Sequence, residues 1–219
     1  MNVKTFYVSG LSVKNQCYLI HLNNTGIFID PAWNYDLLNG FLEENNIKLK
    51  AILLTHSHID HINLANEFAQ KYNVPVYMSK EEIDYYNFSC TNLIEVKHLQ
   101  DIILNGFRIQ PILTPGHTKG SVCYLIENHL FSGDTVFIEG VGICSVEGSD
   151  VHQMYDSVQY LKKSLPLDTF IWPGHSYGEL PGKTLRFLLK NNIYFQLENR
   201  KHFTSFRMRK GQKNLFDFM

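Results

Sequence analysis

Thr55-His56-Ser57-His58-Ile59-Asp60-His61 is the stretch on which the reading of the whole chain turns. Three histidines and an aspartate fall within six residues. Burying four such groups without partners is costly, and a hydrophobic core gains nothing from them. In an extended segment alternate side chains project the same way, so His56 and His58 share a side. Asp60 and His61 then stand at the start of a helix, because Leu64, Phe68 and Tyr72 recur at helical spacing and predict a helix from about Asp60 to Tyr72. Imidazoles with a carboxylate suit borderline cations: Zn²⁺ first, with Fe or Mn also fitting. Ahead of the motif, Ala51-Ile52-Leu53-Leu54 reads as a short buried strand.

The same grammar of apolar run followed by polar ligand type recurs three times. Thr114-Pro115-Gly116-His117-Thr118 follows a strand expected over 107–113, Phe131-Ser132-Gly133-Asp134-Thr135 follows one at 129–131, and Trp172-Pro173-Gly174-His175-Ser176-Tyr177 follows one at 169–171. Glycine beside a ligand lets backbone approach closely. Taken singly, a Pro-Gly-His turn is often only a turn. Together the four segments supply five histidines and two aspartates, enough for two metal ions with one carboxylate shared. Upstream, Cys17–Ile20 and Ile27–Ile29 flank Asn23-Asn24-Thr25-Gly26 and predict a hairpin. Helices are expected over 34–46, 80–86, 151–164 and 184–191, and further strands over 74–77 and 122–126. Strands and helices alternating in two similar halves imply sheets covered by helices, an α/β fold.

Length and charge narrow the function classes. A chain of 219 residues with 44% hydrophobic and 19% charged residues is ordinary globular composition, expected to form one domain over 1–219. A net charge of -1 argues against nucleic acid or anionic lipid as partners. No apolar run approaches the ~18 residues of a membrane span, and the N-terminal residues lack a signal-peptide core. Cys17, Cys90, Cys123 and Cys144 have no CxxC spacing, which predicts reduced thiols and a cytoplasmic location. The segment 183–219 carries nine Lys and Arg against one Glu and one Asp, hence +7, leaving -8 for the remainder. It reads either as a solvated helix face with a frayed end or as a basic patch for an acidic partner. Tyr85, Tyr86 and Phe88 read as core or as the lining of an acyl pocket.

THSHIDH, PGHTKGS, SGDT and PGHSYG, in that order, resemble the ligand motifs of the metallo-β-lactamase-fold hydrolase superfamily over nearly the whole chain. The resemblance implies an αββα four-layer sandwich with two metals at one edge of the sheets. Carried over residue by residue, His56, His58 and His117 would hold one Zn²⁺. Asp60, His61 and His175 would hold the second, and Asp134 would bridge. Within the superfamily the stretch from SGDTVF to FRMR is similar to hydroxyacylglutathione hydrolases (glyoxalase II), which implies hydrolysis of thioesters. GHSYGELPGKTL and the short ending look like zinc-dependent hydrolases of trans-acyltransferase polyketide biosynthesis, of the bacillaene type.

That resemblance implies a thioesterase acting on acyl groups held by an acyl carrier protein. The metals would lower the pKa of a shared water to about 7, giving hydroxide for attack on the thioester carbonyl. Asp60 would orient it, and Tyr177 would help hold the oxyanion. Ile143-Cys144-Ser145-Val146 stands where the glutathione-using relatives carry a basic residue and an aromatic, so the carrier is expected to differ from theirs. The alternatives are glyoxalase II activity itself and persulfide dioxygenation, whose Arg-Thr-Asp-Phe stretch is missing here.

Overall fold

Strands with apolar residues on both faces need cover on both faces. The computed structural model describes residues 1–209 and meets that need with two six-stranded sheets packed face to face. The first sheet holds β1 (Asn2–Gly10), β2 (Val13–Leu22), β3 (Thr25–Ile29), β4 (Lys48–Leu53), β5 (Val76–Ser79) and β6 (Leu93–Val96), in that order. The second holds β7 (Ile102–Leu104), β8 (Phe107–Leu113), β9 (Val122–Ile126), β10 (His129–Gly133), β11 (Phe170–Pro173) and β12 (Lys183–Thr184), in the order β12-β11-β10-β9-β8-β7. The helices are α1 (Tyr35–Glu44), α2 (Ile59–Ile62), α3 (Ala65–Tyr72), α4 (Lys80–Tyr86), α5 (Val151–Ser164), α6 (Leu185–Asn191), α7 (Ile193–Gln196) and α8 (Arg200–Arg207).

The period of two divides the strand residues between layers. Tyr18, Ile20, Ile27, Ile29, Ala51 and Leu53 face Ile109, Val122, Tyr124, Ile126 and Phe131 of the other sheet. Their neighbours Leu19, Phe28, Ile52 and Val76 point the other way, onto Leu38 and Leu42 of α1 and Phe68 of α3. On the far side, Ile112, Cys123, Leu130 and Ile171 pack on Met154, Val158 and Leu161 of α5, with Leu188 of α6 and Phe203 of α8. The result is the four-layer αββα sandwich of the metallo-β-lactamase fold. The hairpin β2–β3 forms where Asn23-Asn24 predicts it.

β3, β4, β5 and β6 run parallel. Parallel neighbours need crossovers, and α1, α3 and α4 provide them. The chain therefore leaves β3 and β4 at the same sheet edge, and Asp30 and the His56–His61 motif follow directly. In the second sheet β10 and β11 are also parallel, which brings Asp134 and His175 to one edge together.

Four differences from the expectations have local causes. The helix expected over 60–72 is two helices. Asn63 caps the first and turns its side chain to the Trp33 N–H at 3.0 Å, and the chain resumes at Leu64, whose N–H donates to Pro31 O. β1, β6 and β7 lie at sheet edges and were not anticipated: β1 has mostly polar residues at its exposed positions, and β6 and β7 are short, with four and three residues. α7 and α8 were not anticipated. Finally, the basic segment is no uniform solvated face. Arg200 makes a bidentate pair with Asp156, Lys183 pairs with Glu179, Arg209 lies over the Phe206 ring and Arg207 is buried. Lys210 and Lys213 lie outside the described residues. Among the described residues no helix is long and apolar enough to cross a membrane.

Candidate metal centre

Every candidate ligand lies just past a strand end, in a loop or, for Asp60 and His61, in the short helix α2. His56, His58, Asp60 and His61 follow β4, His117 follows β8, Asp134 follows β10 and His175 follows β11. They meet between the two sheets at one edge. His56, His58 and His117 form one group whose nitrogens lie within 4.8 Å of one another, and Asp60, His61 and His175 form another.

In four of the five rings the outer nitrogen is fixed, so the inner one must face the centre. His61 Nδ1 donates to Asp30 Oδ2 at 2.8 Å, His117 Nδ1 to Ile143 O at 2.9 Å and His175 Nδ1 to Lys14 O at 2.7 Å. The Thr55 hydroxyl donates to Asp30 Oδ2, so its oxygen is left to accept from His56 Nδ1 at 3.0 Å. His58 presents Nδ1 instead, 3.1 Å from His56 Nε2 and 3.0 Å from His117 Nε2. Three imidazole nitrogens converge with few protons to share. Such outer-nitrogen bonds fix tautomer and ring orientation in metal sites.

Asp134 faces both groups. Its Oδ1 is 3.4 Å from His61 Nε2, while Oδ2 is 3.3 Å from His175 Nε2 and 3.6 Å from His117 Nε2. His61 Nε2 and Asp134 Oδ1 are buried without a hydrogen-bond partner. Buried polar atoms are nearly always paired, and a cation between these two would satisfy both. The donor set and its orphaned atoms therefore fit metal ions. A further cluster, Asp30, His56 and His61, is different in kind. His61 spends its Nδ1 on Asp30 there, so Asp30 supports the ring and does not compete for an ion.

Glycine permits the crowding. A Cβ on Gly174 would stand 2.5 Å from the His61 ring and 2.6 Å from Asp134 Oδ1.

The electrostatics divide the site. Burial pushes the His56 imidazolium well below its usual range and His117 down to about 4. Burial also opposes charge on His175 and His61, but carboxylates overcome it: Asp134 and Asp60 lift His175 to about 11, and Asp134 and Asp30 lift His61. Asp134 itself is held well below the carboxylate range, because His175 and His61 outweigh its burial. Burial, with Asp134 and Asp60 nearby, holds the Tyr177 phenol far above its ordinary value, so it stays protonated.

The site opens into a cleft of about 670 Å³. His58, Asp60, His117, Asp134 and His175 form its floor, and Val13, Phe137, Ile143 and Tyr177 its apolar walls. Among the described residues that line it, Lys14 is the only lysine or arginine. All eight residues singled out from the sequence are thus brought together at or around this cleft. The aromatic cluster is elsewhere: Tyr85 is exposed, Tyr86 donates to Glu147 O, and Phe88 packs on the first core. Cys144 is buried beside the site.

Three supporting residues escaped the sequence reading. Asp30 accepts from Thr55 N, Thr55 Oγ1 and His61. Glu82 is fully buried and ties two ligand loops together, its Oε1 accepting from Ser57 N and Oγ and its Oε2 from Gly120 N, each at 2.8 Å. Asn15 donates to Asp60 O and accepts from the Trp33 indole. Asp30 had a signal, an acid closing an apolar strand. Glu82 had none, because it reads as one more acid in the first turn of a helix.

Comparison with known proteins bears on the family and the fold. Residues 13–175 match the family model described as the metallo-beta-lactamase superfamily. The chain is 50% identical over 206 residues to "Probable polyketide biosynthesis zinc-dependent hydrolase BaeB" of Bacillus velezensis, covering 93% of this chain and 92% of that one. It is 34% identical over 182 residues to a hydroxyacylglutathione hydrolase of Francisella philomiragia, covering 82% of this chain and 69% of that one. Among solved structures, ETHE1 from Myxococcus xanthus superposes with a TM-score of 0.85 at 25% identity, over 95% of this chain and 91% of that one.

Proposed function

Because the chain belongs to the metallo-beta-lactamase superfamily, we propose that it is a zinc-dependent hydrolase of polyketide biosynthesis that holds two Zn²⁺ ions and cleaves acyl thioesters on an acyl carrier protein. The observation that carries the two-metal reading is Asp134, whose Oδ2 stands between His117 of the one group and His175 of the other, while its Oδ1 and the facing His61 Nε2 lack any hydrogen-bond partner. His56, His58 and His117 would hold one ion, Asp60, His61 and His175 the other, with Asp134 shared. When bound, the ions would supply an activated water at neutral pH and polarise the substrate carbonyl.

The chain's own groups supply the rest. Asp60 Oδ2, 3.3 Å from His175 Nε2 and open to the cleft, orients the attacking water and accepts its proton. The neutral Tyr177 hydroxyl donates toward the carbonyl oxygen as it gains charge. Phe137, Ile143 and Val13 shed water from the acyl chain. A thiolate leaves readily, so no strong general acid is needed.

The carrier follows from what the walls lack. Glutathione carries two carboxylates, and the described lining offers Lys14 alone to receive them. The pantetheine portion of a phosphopantetheine arm, which would enter the cleft, is neutral; its one charge lies at the phosphodiester joining it to the carrier. One acyl group is therefore presented on acyl carrier protein, on coenzyme A and on glutathione to the zinc-loaded enzyme, and kcat/KM is compared. The carrier-protein ester is expected to turn over best. Equal or better turnover of the glutathione ester rejects the carrier assignment and favours the reading that the hydroxyacylglutathione hydrolases support. A zinc content near two equivalents is expected; metal-free protein after reconstitution rejects the metal assignment.

A further inference from the structure

The C-terminal helices reach the cleft from behind. Asn192, at the α6–α7 junction, is fully buried, and its Nδ2 donates to Phe137 O and to Gly140 O, both at 3.0 Å. Arg207, the last residue of α8, is buried, and its Nε donates to Gly142 O at 2.9 Å. Its guanidinium lies beside the Cys144 thiol and the Tyr194 hydroxyl. Three backbone carbonyls of one loop are thus held by two side chains. α8 is itself anchored, since Phe203 is fully buried against Tyr155 and Tyr194, with ring centroids 5.4 and 5.2 Å apart.

That loop is the cleft wall. Phe137 and Ile143 line the cleft, and Ile143 O receives the His117 Nδ1 proton. Gly142 has no room for a side chain, because a Cβ there would collide with Asp134 O and press on the His117 ring. A shift of the loop would therefore move an apolar wall and a ligand ring together.

We infer that Arg207 and Asn192 are positioning residues that brace loop 137–144, setting the apolar wall of the cleft and the orientation of His117. A buried cation on the Gly142 carbonyl, with a thiol and a phenol as neighbours, is poorly placed to dock a partner and well placed to fix a loop. The consequence for substrate binding rests on the thioesterase reading; the bracing itself does not.

The test uses zinc-loaded protein and two conservative variants. Asn192→Asp keeps the side-chain oxygen that caps α7 through Tyr194 N but loses both donors to the loop. Arg207→Lys keeps the charge and loses the Nε donor. The local probe is Cys144, buried in the braced loop, labelled with N-ethylmaleimide and read by peptide mass spectrometry. Buried Cys17 and Cys123 report global opening, and half-exposed Cys90 gives the reference rate. Labelling at Cys144 is expected to rise about tenfold or more in each variant while Cys17 and Cys123 stay protected. Alongside it, KM for the acyl thioester should rise more than kcat falls, with zinc content retained. Unchanged Cys144 labelling in both variants overturns the inference, as does labelling that rises equally at all three buried thiols. Loss of thioester turnover in every form of the enzyme would reject the proposed substrate and leave the labelling result to stand on its own.

Discussion

The two halves of the candidate site solve the same problem differently. His56, His58 and His117 form a set of imidazoles kept neutral mainly by burial, with His117 at about 4. Asp60, His61 and His175 are surrounded by carboxylates, and His175 is raised to about 11. At neutral pH the first set is ready for a cation as it stands. The second holds protons that an ion must displace. A cluster that looks uniform in sequence is thus divided by where the carboxylates point.

The largest effect should come from the group that belongs to both sets. Asp134→Ala is expected to lower hydrolysis by about a hundredfold or more, while the exposed Lys190→Ala leaves it unchanged. Similar activity in the two variants would erase the shared role and leave two unconnected sites.

Next in size are the main supports of each set, Glu82 for the first and Asp30 chiefly for the second, since Asp30 also reaches His56 through the Thr55 hydroxyl. Glu82→Gln loosens the loops of the first set, and Asp30→Asn frees the ring of His61 in the second. Each should weaken zinc binding by roughly 10- to 100-fold, chiefly in its own set. Titration with Co²⁺, followed by visible absorption at two equivalents, separates the sets. If both variants weakened chiefly the same equivalent, the division would be wrong.

Smaller again is the dependence of binding on pH. Affinity at the second set should rise by up to about tenfold per pH unit between pH 6.5 and 8.5 for each proton that ion binding displaces. At the first set it should stay flat above pH 6.5. Stepwise zinc titration against a competing chelator measures both, and two flat profiles would contradict the carboxylate argument.

The smallest effect is in the stability of the metal-free protein. His56 and His117 are depressed when folded, so the unfolded chain binds more protons and stability falls as pH drops from about 6.5 through 4. His175 and His61 are raised, so the folded chain binds more protons and stability falls as pH rises above about 6.5 toward 11. Each group contributes a slope of at most about 1.4 kcal/mol per pH unit inside its window. Melting of EDTA-treated protein should therefore peak near pH 6.5 and fall by some degrees on either side. A monotonic profile would mean that one set dominates and that the contrast is overstated.

How far these features could be foreseen varies with how local their causes are. THSHIDH announced itself because no core tolerates four such side chains in six residues, and the Gly-flanked His117, Asp134 and His175 followed the same logic. The strands from β8 to β10 were legible because β9 is an unbroken apolar run, β8 alternates buried Phe107 and Ile109 with Arg108 and Gln110, and β10 centres on buried Leu130 and Phe131. The break between α2 and α3 was not, since it depends on Asn63 meeting Trp33, thirty residues away in sequence. Arg207 misled for a related reason: a basic residue near a basic tail reads as solvated, and only Gly142 O and its neighbours show it to be buried.

The sequence by itself determined which atoms could bind metal, because ligand chemistry is a property of side-chain type and short spacing. It determined the layered α/β architecture as well, because periodicity fixes which faces must be covered. Only the tertiary structure decided the sharing of Asp134, the buried grip of Glu82 on two loops, the split between neutral and carboxylate-bound histidines, and the bracing of the cleft wall from the far end of the chain. Each of these depends on distance and desolvation between residues far apart in sequence, and both are set by how two sheets pack, which no local pattern encodes.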